Sequence, residues 1–202
     1  MIWPPPEVTL EGSLVSLEPL TEEHREPLRS VAGHEEIWQW IDRRVIEEDG
    51  FDEWFDGRLL ARKLGDEHAY ATLKADGSPL GSSSYLAPRP LHDGVEIGWT
   101  WLTPSAWCTG ANVEAKLLML GNAFEELGCM RVELKTDARN ERSRRAMEAL
   151  PAKFEGIFRK HMLMPVSGVR DSAYFSVVDD EWPEVRQNLE RRLAGAREVE
   201  SA

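Results

Sequence analysis

The residues best placed to do chemistry surround position 110. A strand pattern runs to Leu102, Pro104 ends it, and Thr109-Gly110-Ala111-Asn112 turns the chain into a helical pattern that opens at Val113. The first N–H groups of a helix have no intrahelical acceptor and lie at the positive end of its dipole. The backbone N–H groups from Cys108 to Val113 therefore make a candidate anion site, suited to a phosphate. Cys108 stands where a helix start lowers a thiol's pKa, but the local sequence places no histidine to activate it, so it reads as a turn-lining residue. The five histidines (His24, His34, His68, His92, His161) show no metal-ligand spacing, and no metal is expected.

Periodicity supplies the elements that must hold this turn. Val95, Ile97, Trp99 and Trp101 alternate with Glu96, Gly98, Thr100 and Leu102, which predicts one strand with two distinct faces. Val113, Leu117, Leu120, Phe124 and Leu127 trace one face of a helix, and Gly128 stands where a left-handed residue closes one. Met130, Val132, Leu134 and Thr136 alternate with Arg131, Glu133 and Lys135 as a second strand. Asn140 is an N-cap for a further helix, with Ala146, Met147 and Leu150 on its buried side.

Upstream, 8–17 reads as a strand with a turn at Glu11-Gly12, and Thr21 caps a helix that Pro27 must kink or delay. Ile37, Trp38, Trp40 and Ile41 cluster, 43–50 reads as a polar loop, and Phe51, Trp54, Phe55, Leu59 and Leu60 form another helical face. Strands at 70–75 and 80–87 are joined by Asp76-Gly77-Ser78-Pro79. Downstream, strands at 153–164 and 169–178 meet around Val166-Ser167-Gly168. Pro183 starts a last helix with Val185, Leu189 and Leu193 on one side, and the residues beyond Ala194 are expected to fray.

A chain of 202 residues, 42% hydrophobic and 30% charged, fits one globular domain. No apolar run approaches the roughly 20 residues of a membrane span, and the opening MIWPPPE lacks the layout of a secretory signal. Two cysteines give no disulfide framework, so a reducing cytoplasm is expected. Net charge is −12, from 36 acidic against 24 basic side chains. Such a surface repels a phosphate backbone, which argues against nucleic acid and favours a cationic amine or basic peptide. Eight tryptophans suggest more apolar surface than one small core needs. That predicts a homodimer, through the last strand pair or the face around Trp182.

The stretches VEIGW at 95–99, TGANVEAK at 109–116 and GCMRVELKTDARNERSRRAMEAL at 128–150 resemble the acyl-CoA-binding core of the GNAT acetyltransferase superfamily, in its RimJ/RimL-like branch. LEGSLVSLEPLTEEH at 10–24, KFEGIFRKHM at 153–162 and RDSAYFSVVDDEW at 170–182 extend the likeness over nearly the whole chain. The resemblance implies an α/β (α+β) fold: a mixed, mostly antiparallel central sheet flanked by helices, with a C-terminal helix. One domain would span 1–202, with its core at 93–150 and C-terminal strands and helix at 151–194. It also implies acetyl-CoA as donor co-substrate, an amine acceptor and direct transfer.

By that resemblance the backbone of Trp99, Thr100, Trp101 and Leu102 receives the donor's acyl carbonyl and pantetheine arm, and Cys108, Thr109, Gly110, Ala111, Asn112 and Val113 receive its pyrophosphate. Glu96 would be the general base. Asn140 would contact the coenzyme, and Ser143 would lie near the sulfur as proton donor. Trp38, Trp40 and Trp54 would wall the acceptor pocket, although aromatic residues also suit a core. The sequence departs from the family where Trp107-Cys108 replaces a usual basic residue; Lys116, or Arg142, Arg144 and Arg145, could restore that charge, Arg145 being taken as a donor contact. The departure leaves open a catalytically weak acyl-CoA-binding or interaction protein of the same fold, and the fold alone also leaves open an acyltransferase using a larger donor such as succinyl-CoA.

Overall fold

The computed structural model describes residues 1–200, with side chains described as far as residue 195. Eight strands form one sheet: β1 (Leu10–Glu11), β2 (Val15–Pro19), β3 (Glu67–Lys74), β4 (Pro79–Arg89), β5 (Gly94–Leu102), β6 (Arg131–Asp137), β7 (Lys153–Met164) and β8 (Gly168–Val178). Their order is β1-β2-β3-β4-β5-β6-β8-β7. Every neighbouring pair is antiparallel except β5 and β6. Six helices flank the sheet: α1 (Arg25–Ala32), α2 (Glu35–Trp38), α3 (Gly50–Leu64), α4 (Ala111–Gly121), α5 (Glu141–Ala149) and α6 (Trp182–Glu200).

Alternation along the strands divides the interior into two cores. On one face Val95 and Ile97 of β5, Val132 and Leu134 of β6, and Phe175 and Val177 of β8 pack with α4 and α6. On the other, Ala69, Ala71 and Leu73 of β3 meet an aromatic cluster of Trp38, Phe51, Trp54 and Phe55 from α2 and α3. That second helical layer covers β3 and β4.

Several expectations need correction. The strand expected at 8–17 is two short strands, paired as a hairpin that turns after Glu11, with Leu10 opposite Leu17 and Glu11 opposite Ser16. The helix after Thr21 does start late, as Pro27 requires: a 3-10 turn comes first, the chain becomes α-helical at Arg25, and Pro27 falls in the first turn, where its missing N–H costs nothing. The polar loop at 43–50 contains a 3-10 turn that buries Val45, while Leu60 and Met130 are exposed. On α5, Ala146 is exposed, Met147 is half-buried, and only Leu150 beyond its end is buried. α6 continues helically past Ala194 to Glu200.

The stripe read for α4 is only partly its buried side: Leu120 and Leu127 are buried, while Val113, Leu117 and Phe124 lie on the flank. Its sheet-facing side is Ala111, Ala115, Met119 and Leu120, where small residues let the helix lie close; Val113, Leu117 and Phe124 pack half-buried beside them. After Gly121 the helix widens into a π-helical turn, Asn122–Glu126. Gly128, at φ +70°, then reverses the chain as expected.

α4 also carries a buried carboxylate. Glu114 accepts hydrogen bonds from the backbone N–H groups of Ser13 (3.0 Å), Leu14 (2.6 Å) and Val15 (2.8 Å), and from the Ser13 hydroxyl (2.8 Å). A Cβ at Gly12 would lie 2.5 Å from its Oε2, so glycine there admits the carboxylate. Burial pushes the Glu114 pKa up, but the bonds from Ser13, Val15 and Leu14 outweigh it and hold the group below its ordinary value. A lowered folded-state pKa gives stability above the unfolded value that is lost as pH falls through the folded value. Glu114→Gln should therefore destabilise the protein by about 1.5–3 kcal/mol in urea unfolding at neutral pH. The difference from wild type should shrink on acidification; a difference independent of pH would contradict this role.

Candidate active site

β5 and β6 are paired at only three positions, Gly94 with Arg131, Val95 with Val132, and Glu96 with Glu133. Beyond Glu96 the strands part. β6 remains paired to β8 at seven positions, from Arg131–Val178 to Asp137–Ser172, and β5 remains paired to β4. A wedge opens between them, and the edge of β5 from Ile97 onward carries backbone groups with no β6 partner.

β5 does not keep its alternation along this edge. The register with β4 shifts between Ser84–Gly98 and Ser82–Trp101, so Trp99 and Thr100 together face Ser83. This is a β-bulge, with Trp99 at φ +48°. A bulky residue with positive φ is uncommon, and such strain costs on the order of 1–3 kcal/mol. The bulge reverses the expected faces. Trp99 and Trp101 join the aromatic core, while Thr100 and Leu102 turn toward α4 with Val95 and Ile97. Strict two-residue periodicity cannot register an inserted residue, and it puts Trp99 and Trp101 on the wrong side.

Glu96 stands at the apex of the wedge, 3% exposed. Its Oε2 accepts a hydrogen bond from Lys135 Nζ at 2.8 Å, across the opening from β6. Its Oε1 would lie 3.0 Å from a Cβ at Gly98, so the carboxylate extends toward the bulge. Burial raises the Glu96 pKa, Lys135 opposes that shift, and the net direction is upward. The same face of β6 and β8 carries Glu133, Asp137, Arg170 and Tyr174, and His161 of β7 contacts Ser172 and Tyr174. It is a polar, partly open surface beside the aromatic core. An open groove of about 830 Å³ adjoins it, lined by Asp137, Arg139, Arg159, Lys160 and Asp171 among others.

At the wide end of the wedge, Cys108 is exposed with a left-handed backbone (φ +62°). The Thr109 hydroxyl donates to Ala106 O (2.8 Å) and accepts from Ala111 N–H (3.1 Å). The first backbone bond into α4 is Glu114 N–H to Gly110 O, 2.9 Å. The N–H groups of Asn112 and Val113 thus precede the helical ladder, where an anion can use them. Opposite, Asn140 caps α5 by accepting from Ser143 N–H at 3.1 Å, as its N-cap pattern predicts. Ser143 follows in the first turn.

Of the basic residues weighed for the turn, Arg142 lies beside it, and Lys116 and Arg145 do not. Lys116 is buried within the first core, its Nζ on Thr100 Oγ1 (2.7 Å) and Ser83 Oγ (3.2 Å), and cannot reach a ligand at the turn. Arg145 is exposed and paired with Glu141 one helical turn away, and Arg144 donates to Ala138 O. Arg142 instead stacks on Trp107, 3.8 Å from the ring centroid, while Trp107 Nε1 donates to Leu102 O. α5 thereby lays a guanidinium beside the turn that lacks its own basic residue. Only the distance between 107 and 142 in the fold decides this, and no local pattern carries it.

Of the tryptophans expected at an acceptor wall, Trp38 and Trp54 are buried against Trp101 at centroid distances of 5.1 and 5.7 Å, which closes them to a ligand. Trp40 is half-exposed, with Arg139 over its ring, and lines a hollow of about 370 Å³ with Gln39, Asn140 and Arg142. Trp182 is buried against Phe124. None of the eight tryptophans is exposed, so the tryptophan count gives no support to an interface.

Residues 15–153 match the family described as Acetyltransferase (GNAT) domain. The chain belongs to the GNAT acetyltransferase family, whose members use acetyl-CoA. The crystal structure of a GCN5-related N-acetyltransferase from Brucella melitensis is 32% identical, with a TM-score of 0.85 over 94% of this chain and 86% of that one. A T. thermophilus protein assigned as an acetyltransferase is 38% identical, with a TM-score of 0.84 over 95% of this chain and 100% of that one. Mycobacterium smegmatis RimJ, solved with CoA-disulfide, is 16% identical, with a TM-score of 0.75 over 88% of each chain, a likeness of fold. No match was found among the curated proteins. Among the described residues, no group of three or more His, Cys, Asp or Glu could hold a metal ion, and no helix is long and apolar enough to cross a membrane.

Lys135→Met removes the charge opposite Glu96 while keeping side-chain length. The Glu96 carboxyl titration, followed by NMR, should move to higher pH. An unmoved titration would mean that Lys135 does not tune this carboxyl.

Proposed function

We propose that this chain transfers an acetyl group from acetyl-CoA to a primary amine, a protein N-terminus or a small amine, as a member of the RimJ/RimL-like branch. The observation that carries the reading is the wedge beyond the three-position β5–β6 ladder, with Glu96 at its apex and the α4 turn at its mouth. The donor's amide arm suits the unpaired edge of β5, as an extended peptide suits an open strand. Its diphosphate suits the N–H groups of Asn112 and Val113, with Arg142 supplying the charge.

In this reading Glu96 takes the proton from the acceptor ammonium. The freed nitrogen attacks the thioester carbonyl; as the carbon–sulfur bond breaks, the nitrogen gives its second proton to solvent and the thiolate takes one from solvent, directly or through Ser143, which solvent reprotonates. Backbone N–H groups of the bulged segment stabilise the carbonyl oxygen as it gains charge. A net charge of −12 favours a cationic acceptor, and Trp40 walls its approach.

Calorimetry tests the donor site: acetyl-CoA should bind, and Arg142→Ala should weaken binding about tenfold or more, the scale of one charge-assisted hydrogen bond. No binding at millimolar concentration would remove the reading. Release of CoA with a panel of amines and basic peptides then identifies the acceptor. Glu96→Gln should lower kcat about 10²–10⁴-fold with donor affinity unchanged. Because the Glu96 pKa is raised, the acid limb of the rate profile should lie above the ordinary carboxylate range and vanish in this variant. Full activity in Glu96→Gln would make it a structural carboxylate.

Both cysteines are unpaired and Cys108 is exposed, which suits a reducing cytoplasm. A homodimer would form through β7, an edge strand that exposes Phe154, Ile157, Phe158 and Leu163. Light scattering at micromolar concentration should give a dimer mass that Phe158→Asp reduces to a monomer; a monomeric wild type would contradict it.

A further inference from the structure

Lys116 is a costly residue where it stands. It lies on the sheet-facing side of α4, 6% exposed, and no carboxylate pairs with it among the described residues. Burial alone drives its pKa down to about 7. A methionine of similar length would fill the same space without desolvating an amine. Its partners therefore indicate what the amine does.

They are the two sides of the β5 bulge. Lys116 Nζ donates to Thr100 Oγ1 at 2.7 Å and to Ser83 Oγ at 3.2 Å, and these hydroxyls lie 2.7 Å from each other. Thr100 is a bulge residue, and Ser83 is the single β4 residue that faces the bulge. From the opposite face of the sheet, the Arg58 guanidinium lies 4.3 Å from the centroid of the Trp99 ring and is paired with Glu67 at 2.9 Å. The strained turn of β5 is thus gripped from both faces, by a lysine on Thr100 and an arginine on Trp99.

We propose that Lys116 is a positioning residue for the acyl donor: by holding Thr100 against Ser83 it fixes the bulged stretch of β5 along which the donor's amide arm and thioester are laid. This rests on the donor site proposed above. Lys116 does not touch the donor, and it acts on the arm rather than on the phosphates, since it points away from the α4 turn into the core.

Calorimetry on wild type, Lys116→Met, Thr100→Val and the double variant tests this with two ligands: acetyl-CoA, and adenosine 3′,5′-bisphosphate, which lacks the arm. Lys116→Met should weaken acetyl-CoA about tenfold, leave the bisphosphate within about twofold, and not lower Tm. Thr100→Val should act in the same direction, and the double variant should be no weaker than Lys116→Met, because both break one linkage. Acetyl-CoA affinity near wild type in both single variants would overturn the proposal. So would an equal loss for both ligands, which would mark a general structural effect. Should Lys116→Met fail to fold, Thr100→Val decides on the same criteria. A wild type that does not bind acetyl-CoA would remove the donor site itself, a separate result from variants that match a binding wild type.

Discussion

Strands β5 and β6 hold each other at three positions and then separate, each committed elsewhere: β6 to β8 over seven positions, β5 to β4 on both sides of its bulge. A parallel pair needs a long crossover, here α4 with its π-helical turn, and that crossover lies across the first core with Ala111, Ala115 and Ala123 against the sheet. The parting of the strands cannot be filled by sheet pairing, so it leaves a strand edge open in the middle of the sheet. Natural sheets cover or interrupt such edges. Here the open edge is bordered by a helix start on one side and a capped helix on the other, both of which favour anions.

The charges around the opening follow from that geometry. Glu96 is the last paired residue of β5, and Lys135 two residues past the last paired position of β6 reaches back to it at 2.8 Å. A buried carboxylate without that lysine would be driven further toward its neutral form. With it, the group remains a hydrogen-bonded carboxylate of raised pKa, which is the setting a general base near neutral pH requires. The second core performs the complementary task. Trp38, Trp54 and Trp101 pack edge-on and tilted, with indole N–H groups of Trp54 and Trp101 left without a protein partner, behind a bulge that Arg58 and Lys116 hold from either face.

Much of this architecture is legible from local pattern. The strand ending at Leu102, the turn at 109–112, the Asn140 cap and the C-terminal strand pair each rest on residues within a few positions of one another. What is not legible depends on long-range placement. The bulge at Trp99 is set by the register with Ser83, and a period of two offers no sign of it. Lys116 has the composition of a solvated helix residue, and only the phase of α4 against the sheet sends it inward. Arg142 is indistinguishable in sequence from Arg144 and Arg145; the closeness of α5 to Trp107 selects it. Trp38 and Trp54 suit a core better than a pocket wall by residue type alone, and the packing of α2 and α3 on β5 makes them core.

The central claim is that the gap between β5 and β6 receives the acyl donor. Amide hydrogen exchange with and without acetyl-CoA examines it residue by residue. Protection should appear along β5 from Gly98 to Leu102 and at the turn from Cys108 to Val113, with the β7–β8 pair unchanged. Protection confined to other elements, or none at a donor concentration that saturates binding, would contradict it.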